Sequence, residues 1–194
     1  MKLKIPNTLT IGRIILVPIF VIAFYLPGAL GDLIPFFIFL LASFTDFLDG
    51  LIARLYKEES KLGELLDPIA DKILVASALV LLVMNGIIKN YEVIAAIVIL
   101  TREILISGLR EFLAKGKIKL PVSNLAKLKT FLQMFAIAIL LTGETGNKFL
   151  NFQDYNAQTI GIILLWLSAF LTLFTGYEYL KKGIDHAISE DNKN

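Results

Sequence analysis

The sequence contains no cysteine and only one histidine in 194 residues. Without cysteine, neither a disulfide framework nor a thiolate metal or redox site can form, and the redox compartment is left open. A large excess of charge is also missing, because 19 Lys and Arg residues against 17 Asp and Glu residues leave a formal charge of +2. This balance is too small to suggest a nucleic-acid partner.

Long apolar runs dominate the chain instead. Hydrophobic residues make up 56% of the sequence and the mean hydropathy is +0.72, which is far too apolar for a soluble domain of this size. The runs are long enough to cross about 30 Å of hydrocarbon and lack the alternation of a membrane barrel. We therefore predict an all-α integral membrane protein, a single domain over residues 1–194, built as a six-transmembrane-helix bundle with a short N-terminal interfacial segment. The predicted spans are roughly 10–26, 33–55, 68–88, 91–113, 125–142 and 159–179.

The distribution of positive charge predicts the orientation of the bundle. Most Lys and Arg residues flank one end of the predicted spans, whereas the opposite end has only Lys89 and Lys148. The positive-inside rule then places both termini and the 54–68 loop in the cytoplasm, in a multi-pass protein of the inner (cytoplasmic) membrane. The basic N-terminus resembles a signal peptide, but Arg13 and Pro18 interrupt the apolar run, so we expect it to be retained.

Four aspartates lie at the facing ends of the second and third predicted spans. Asp46 and Asp49 are three residues apart, and Asp67 and Asp71 are four apart, so that in a helix each pair shares one face. Pro68 follows Asp67 directly, which predicts that Asp67 caps a helix beginning at Pro68. The sequence therefore predicts that four carboxylates converge within the inner part of the bilayer.

These carboxylates need compensating charge. An ionised carboxylate at the centre of a span costs about 2.5–3.5 kcal/mol, so four would cost on the order of 10 kcal/mol. Nearby cations are few, since only Arg54 and Lys72 are adjacent in the sequence. Two divalent cations would balance four carboxylates, and oxygen ligands without cysteine favour Mg²⁺ or Mn²⁺. We therefore predict a two-ion Mg²⁺ or Mn²⁺ site beside the aspartates.

A second set of charged residues lies on the fourth and fifth predicted spans. Arg102 falls near the middle of the bilayer with Glu103 beside it, and an Arg at that depth is a candidate functional residue. An internal ion pair with Glu103 or with an aspartate would also explain Arg102. Arg110, Lys127 and Lys129 form a basic cluster on the side of the aspartates, which suits a phosphate-bearing, water-soluble substrate. Ordinary positive-inside charge is the alternative explanation for the cluster.

The acidic stretch resembles a known signature. The pattern Asp46-x-x-Asp49-Gly50-x-x-Ala53-Arg54, eight further residues, then Gly63-x-x-x-Asp67-x-x-x-Asp71 is similar, with no position missing, to the signature of the CDP-alcohol phosphotransferase family. Other elements resemble the bacterial members of the family that form phosphatidylglycerophosphate, although Ala126 stands where a glycine is expected. The resemblance covers nearly the whole chain. These elements are Pro6-Asn7-x-x-Thr10-x-x-Arg13, residues 66–72, Thr101-Arg102-Glu103, Leu109-Arg110-Glu111 and Lys127-x-Lys129-Thr130.

This resemblance implies a membrane enzyme that transfers the phosphatidyl group from CDP-diacylglycerol to sn-glycerol 3-phosphate and releases CMP. It implies a dinuclear Mg²⁺ or Mn²⁺ site, with Asp71 as a ligand or as the general base on the acceptor hydroxyl. The implied metal ligands are Asp46, Asp49, Asp67 and Asp71; the implied CDP-diacylglycerol-binding residues are Asn7, Thr10, Gly50, Ala53, Arg54 and Gly63; the implied glycerol-phosphate-binding residues are Arg102, Arg110, Lys127 and Lys129.

Two other functions are considered. The same chemistry could serve another acceptor, namely inositol phosphate, phosphatidylglycerol as in a cardiolipin synthase, or serine; the basic cluster disfavours serine, which has no phosphate. A divalent-cation or proton-coupled transporter would also use intramembrane aspartates, but it does not explain the Gly, Ala and Arg positions between them. The expected partners are CDP-diacylglycerol, glycerol 3-phosphate, membrane lipid and a second copy of the chain in a homodimer.

Overall fold

The described chain is helical throughout its regular structure. The computed structural model describes residues 5–56, 61–115, 123–149 and 156–191, with side chains in these ranges except at 5–9, 47–56, 61–62, 64–65, 67, 114–115, 149, 182 and 185–191. These ranges contain no strand, which confirms the all-α prediction for them. The helices are α1 (Ile5–Ala23), α2 (Ala29–Tyr56), α3 (Lys61–Met84), α4 (Glu92–Lys115), α5 (Asn124–Leu141), α6 (Gly143–Phe149) and α7 (Ala157–Asp191).

The third helix begins earlier than predicted. It starts at Lys61 and runs through Pro68, so Asp67 lies in its second turn, and the prediction of a helix capped by Asp67 and beginning at Pro68 is wrong. The apolar residues at positions 62, 65, 66 and 69 recur at helical spacing across the proline, and this pattern extends the helix toward its N-terminus. The Pro68 carbonyl accepts a hydrogen bond from Lys72 Nζ at 3.0 Å.

Apolar helices of membrane-spanning length are present, as expected for a membrane protein. Among the described residues, three helices are long and apolar enough to cross a bilayer, over Ala29–Asp46, Asn124–Leu141 and Ala157–Lys181, and α1 contributes the shorter apolar stretch Thr10–Ala23. The structure thus identifies three such helices where the sequence predicts six. The difference arises in α1, whose described apolar stretch is shorter, and in α3 and α4, which both carry charged residues within the helix.

The helices form two groups of three. α1 packs along α2 and α3, while α7 packs along α5 and α4. α3 joins the groups through contacts with α4 and α5, and α2 also reaches α5. The buried core between the groups includes Phe20, Phe39, Leu79, Ile99 and Ile137. α3 therefore lies at the centre of the bundle, with its acidic N-terminal half between α1 and the α4–α5 pair.

The outward faces of the helices are apolar. Large side chains remain exposed along α1, α2, α4 and α7, which is the pattern of a surface in contact with lipid rather than water. This exterior agrees with the prediction of a membrane protein. Examples are Ile15, Ile22, Phe37, Phe44, Ile97, Ile104, Phe170 and Phe174.

The two ends of the bundle differ in their polar contacts. The starts of α1, α3 and α5 and the ends of α2, α4 and α7 lie at one end, called the site end below. At the opposite end, Asp32 of α2 accepts hydrogen bonds from Thr145 N at 3.0 Å and Thr145 Oγ1 at 2.8 Å. These bonds hold α6 against α2 beside Gly143, whose φ of 53° suits glycine. Polar contacts within the protein therefore join α2 to α6 at the far end, beside two cavities that Asp32 lines.

Candidate active site

A partly buried ion pair joins α1 to α2 toward the site end. Arg13 is 1% exposed, and its Nη1 donates to Asp46 Oδ1 at 2.5 Å. From the sequence, the cations near the aspartates are Arg54 and Lys72, with Lys57 and Lys61 in the loop. That set is incomplete, because the packing of α1 on α2 brings Arg13 to Asp46 across 33 residues of chain. Asp46 remains 46% exposed, so its carboxylate is still accessible from outside the pair.

The four predicted aspartates are distributed over two consecutive helices. Asp46 and Asp49 belong to α2 and Asp67 and Asp71 to α3, and their spacing places each pair on one helix face. The Asp71 side chain is partly buried and lines a cavity between α3, α4 and α5. The side chains of Asp49 and Asp67 lie outside the described residues.

The donor set at this end fits a hard divalent cation. Carboxylate oxygens are the ligands that Mg²⁺ and Mn²⁺ prefer, and the chain has no cysteine that would favour a softer metal. Among the described side chains, no three of His, Cys, Asp and Glu gather into a metal-binding group. Two of the four predicted ligands are not among those side chains, so the two-ion site stays a prediction.

Glu103 connects two basic residues. Its Oε1 accepts a hydrogen bond from Lys129 Nζ of α5 and lies 3.3 Å from Arg102 Nη1. The Lys129 side chain is only 3% exposed, and that of Glu103 is 20% exposed. The internal ion pair between Arg102 and Glu103, considered above as an alternative explanation of Arg102, is therefore present. Lys129, predicted to bind the acceptor phosphate, forms an ion pair with the same carboxylate.

The ring of Tyr179 lies between two arginines of α4. The guanidinium carbons of Arg102 and Arg110 are 5.9 Å and 4.9 Å from the ring centroid, within the range of cation–π interactions. Arg102 Nη2 also donates to Thr175 Oγ1 at 3.1 Å. Residues of α7 thus contact both predicted phosphate-binding arginines. Arg102 is mostly buried, whereas Arg110 is exposed.

One cavity brings acidic and basic side chains together. It has a volume of about 250 Å³ and is lined by Asp71 and Lys72 of α3, Glu103 of α4, and Lys129 and Gln133 of α5, together with apolar residues of the three helices. Gln133 is 2% exposed, and its Oε1 has no hydrogen-bond partner within the described part of the chain. The cavity therefore combines two carboxylates, two ammonium groups and an amide whose oxygen is unpaired within the described residues.

The remaining predicted site residues divide into described and undescribed positions. Thr10 is fully buried in α1 and Gly63 is buried in α3, while Lys127 is exposed at the start of α5. Gly50 and Ala53 lie on the α2 backbone, but their surroundings are outside the described part. The side chains of Asn7 and Arg54 are likewise outside it.

No site role was predicted from the sequence for Arg13, Gln133 or Tyr179. Arg13 could have been found, because an arginine inside an apolar span is a functional candidate in its own right. Gln133 and Tyr179 carried no such signal, since a single amide or phenol in an apolar helix is common. Their importance depends on which helix faces them.

Comparison with known protein families identifies one match. The family model described as CDP-alcohol phosphatidyltransferase matches residues 3–174. This range contains every residue of the predicted site. It also covers six of the seven helices completely and more than half of α7.

Curated relatives from several bacteria are similar over nearly their whole length. Proteins named CDP-diacylglycerol–glycerol-3-phosphate 3-phosphatidyltransferase from Rickettsia felis and Haemophilus influenzae are 46% and 43% identical, covering 92% and 93% of this chain and 94% of each relative. A protein of the same name from Cereibacter sphaeroides is 36% identical, covering 98% of this chain and 100% of the relative.

Proposed function

Since the chain belongs to the CDP-alcohol phosphatidyltransferase family, we propose that it transfers the phosphatidyl group of CDP-diacylglycerol to sn-glycerol 3-phosphate. The products are phosphatidylglycerophosphate and CMP. The observation that carries this function is the similarity, over more than nine-tenths of the chain, to enzymes bearing that name. The cavity that joins Asp71 to Lys129 supports it, because the acceptor needs both a base and a cation.

The donor substrate is assigned to the acidic faces of α2 and α3. Members of the family use divalent metals, and two Mg²⁺ or Mn²⁺ ions held by Asp46, Asp49 and Asp67, with Asp71 as a further ligand or as the general base, would neutralise the diphosphate and the leaving CMP. Arg13 holds one oxygen of Asp46 and so orients its carboxylate. The residues assigned to the nucleotide and diphosphate are Asn7, Thr10, Gly50, Ala53, Arg54 and Gly63.

Asp71 is assigned the role of removing the proton from the acceptor hydroxyl. The hydroxyl oxygen of glycerol 3-phosphate forms a bond to the phosphatidyl phosphorus, while the bond from that phosphorus to the bridging oxygen breaks and CMP leaves. The hydroxyl proton passes to the Asp71 carboxylate, which is partly buried at the cavity wall. A carboxylate in this position can act as general base when the hydroxyl lies within hydrogen-bond distance.

The acceptor phosphate is assigned to the basic residues of α4 and α5. Arg110 and Lys127 are exposed and accessible to a phosphate arriving from the cytoplasm, while Lys129 and Arg102 lie deeper, beside Glu103. A phosphate-bearing acceptor fits this set better than serine does. The cavity, at about 250 Å³, is below the ~300–1,000 Å³ of pockets for drug-sized ligands, which favours a small acceptor over a second diacyl lipid.

The topology follows from the charges at the site end. We place six spans in the inner membrane as a single domain, with both termini and the site facing the cytoplasm, because the basic residues concentrate at that end. α3 and α4 cross the bilayer with Asp71, Arg102 and Glu103 directed into the bundle, where neighbouring helices compensate such charges. A homodimer completes the proposed assembly.

A direct assay tests the proposed function. Purified protein is incubated with CDP-diacylglycerol, Mn²⁺ or Mg²⁺, and separately glycerol 3-phosphate, inositol phosphate, phosphatidylglycerol or serine, and CMP and lipid product are measured. We expect CMP release and phosphatidylglycerophosphate with glycerol 3-phosphate, abolished by EDTA and restored by the metal. Preferred use of another acceptor would reject glycerol 3-phosphate as the substrate, and undiminished activity after rigorous chelation would reject the metal site.

A further inference from the structure

Gln133 is a buried polar residue in the wall of the cavity between α3, α4 and α5. It lies one helical turn beyond Lys129 on the same face of α5, is 2% exposed and lines the cavity with Asp71. Its Oε1 has no partner within the described part of the chain. Nearly all buried polar side chains in proteins are hydrogen-bonded, because leaving one unpaired is destabilising. This amide is therefore positioned to bond a group that enters the cavity.

The neighbours of Gln133 indicate the chemistry of that group. Lys129 lies about 6 Å nearer the site end, given the helical rise of 1.5 Å per residue over four residues. Asp71 of α3 and Gln133 of α5 line the same cavity from different helices. A small acceptor with its phosphate toward Lys129 would therefore place its carbon chain between Asp71 and Gln133.

We propose that Gln133 binds the secondary hydroxyl of glycerol 3-phosphate and thereby selects polyol phosphates as acceptors. This inference rests on the proposed function. Asp71 faces the primary hydroxyl that attacks, so the neighbouring hydroxyl is the polar group left for the amide. A hydroxyl both donates and accepts hydrogen bonds, so it can pair with either end of a carboxamide. Gln133 thus acts as a specificity-determining residue and takes no proton in the reaction.

The first test uses the unmodified enzyme and an acceptor without the secondary hydroxyl. Glycerol 3-phosphate and 3-hydroxypropyl phosphate share the phosphate, the primary hydroxyl and the chain length. We expect kcat/KM to be about 10- to 100-fold higher for glycerol 3-phosphate, because the analogue leaves the buried amide unpaired. Equal kcat/KM values for the two acceptors would overturn the proposal and leave the proposed function intact.

The second test removes the amide. Gln133→Met keeps a similar length and volume without the hydrogen-bonding groups, and we expect it to lower the ratio of the two kcat/KM values to near one. The fall in kcat/KM should occur with glycerol 3-phosphate as the acceptor, and KM for CDP-diacylglycerol should stay unchanged. A merely structural role would depress both acceptors equally and preserve the ratio, which would refute the proposal. Gln133→Asn, which retracts the amide by one methylene, should also lower the ratio and serves if the Met variant fails to fold.

Phe135→Leu is the matched control. Phe135 lies two residues away on α5, is 50% exposed and does not line the cavity. Its substitution should leave the ratio at the wild-type value, and an equal fall in this variant would refute the assignment to Gln133. If the wild-type enzyme turns over neither phosphorylated acceptor with CDP-diacylglycerol, the proposed function fails and the assignment to Gln133 falls with it.

Discussion

Several buried charged side chains in this molecule are compensated by partners on other helices. Arg13 of α1 pairs with Asp46 of α2, and Lys129 of α5 pairs with Glu103 of α4. In a low-dielectric interior, an unpaired charge would be far more costly than the desolvated pair. These pairs therefore position the cationic groups while leaving the helices able to pack in an apolar environment.

Removing the acidic partner of Lys129 should destabilise the protein. Glu103→Gln leaves the Lys129 ammonium, 3% exposed, without its carboxylate, and breaking a buried pair in this way typically costs about 3–5 kcal/mol. We expect a clear fall in the thermal unfolding midpoint in detergent, measured by intrinsic fluorescence or circular dichroism. An unchanged midpoint would mean that the pair contributes no stability.

The double variant separates stability from activity. Glu103→Gln combined with Lys129→Met removes both charges, so the unfolding midpoint should recover much of the loss. Phosphatidyl transfer should not recover, because Lys129 is assigned to the acceptor phosphate. Recovery of wild-type transfer in the double variant would remove Lys129 from the acceptor site.

Asp71→Asn tests whether this carboxylate acts as base or as metal ligand. If Asp71 is the base, its loss should slow the chemical step by about 10²- to 10⁴-fold while CDP-diacylglycerol and Mn²⁺ still bind. Single-turnover rates and Mn²⁺ stoichiometry measured by calorimetry decide the question. Loss of one Mn²⁺ per chain would instead identify Asp71 as a ligand.

Asp32→Asn provides the control for Asp71→Asn. Asp32 is a carboxylate of α2 at the far end of the bundle, where it bonds Thr145, and an amide oxygen can still accept those bonds. We expect Mn²⁺ stoichiometry and the single-turnover rate to match the wild type. A similar loss in this variant would show that the effect of Asp71→Asn is not local.

At the scale of the elements, α7 packs closely on its neighbours through glycine. A Cβ atom at Gly161 would lie 2.7 Å from Cγ and Cδ2 of Leu140, which is buried in α5. At Gly176 a Cβ would lie 3.1 Å from Arg102 Cγ. These close approaches let α7 reach both the core and the arginines, so the register of α7 influences the geometry of the site.

Gly161→Val should destabilise the contact between α5 and α7. The added methyl groups would overlap Leu140, and overpacking in a core typically costs about 1–3 kcal/mol. This cost lowers the melting temperature of a chain this size by roughly 2–12 °C. Gly108→Val is the control, because its Cβ meets nothing within 4 Å. Equal melting temperatures for the two variants would contradict tight packing at Gly161.

At the scale of the whole molecule, the two ends of the bundle carry different chemistry. The predicted site residues concentrate toward one end, whereas at the far end Thr145 bonds Asp32 and Gln158 bonds Asn147. Between the ends, the outer faces are apolar. This polarity is what a reaction between a membrane-embedded lipid donor and a water-soluble acceptor requires.

Single-cysteine labelling tests the proposed orientation. The chain has no cysteine, so Lys148→Cys and Lys181→Cys, both at exposed positions near opposite ends, each introduce one thiol. In intact spheroplasts a membrane-impermeant maleimide should label Lys148→Cys, whereas Lys181→Cys should react only after permeabilisation. Labelling of Lys181→Cys in intact spheroplasts would show that the orientation is opposite to the one proposed.

The sequence alone determined the class of the protein and its family. Apolar runs of membrane-spanning length require helices, because lipid cannot satisfy backbone hydrogen bonds. The eight positions from Asp46 to Asp71 resemble the signature of the family at every position, and the family model matches residues 3–174. These conclusions depend on local periodicity and spacing, both of which can be read from one segment at a time.

The tertiary structure decided which charged residues form ion pairs and that α3 continues through Pro68. Arg13 was missed as the partner of Asp46 because 33 residues separate them and only the packing of α1 on α2 brings them together. The same holds for Lys129 with Glu103, and for Gln133 in a cavity formed by three helices. α3 runs through Pro68, because its apolar face continues and tertiary packing can outweigh the local cost of a proline. Contacts between helices depend on the whole bundle, and no single segment encodes them.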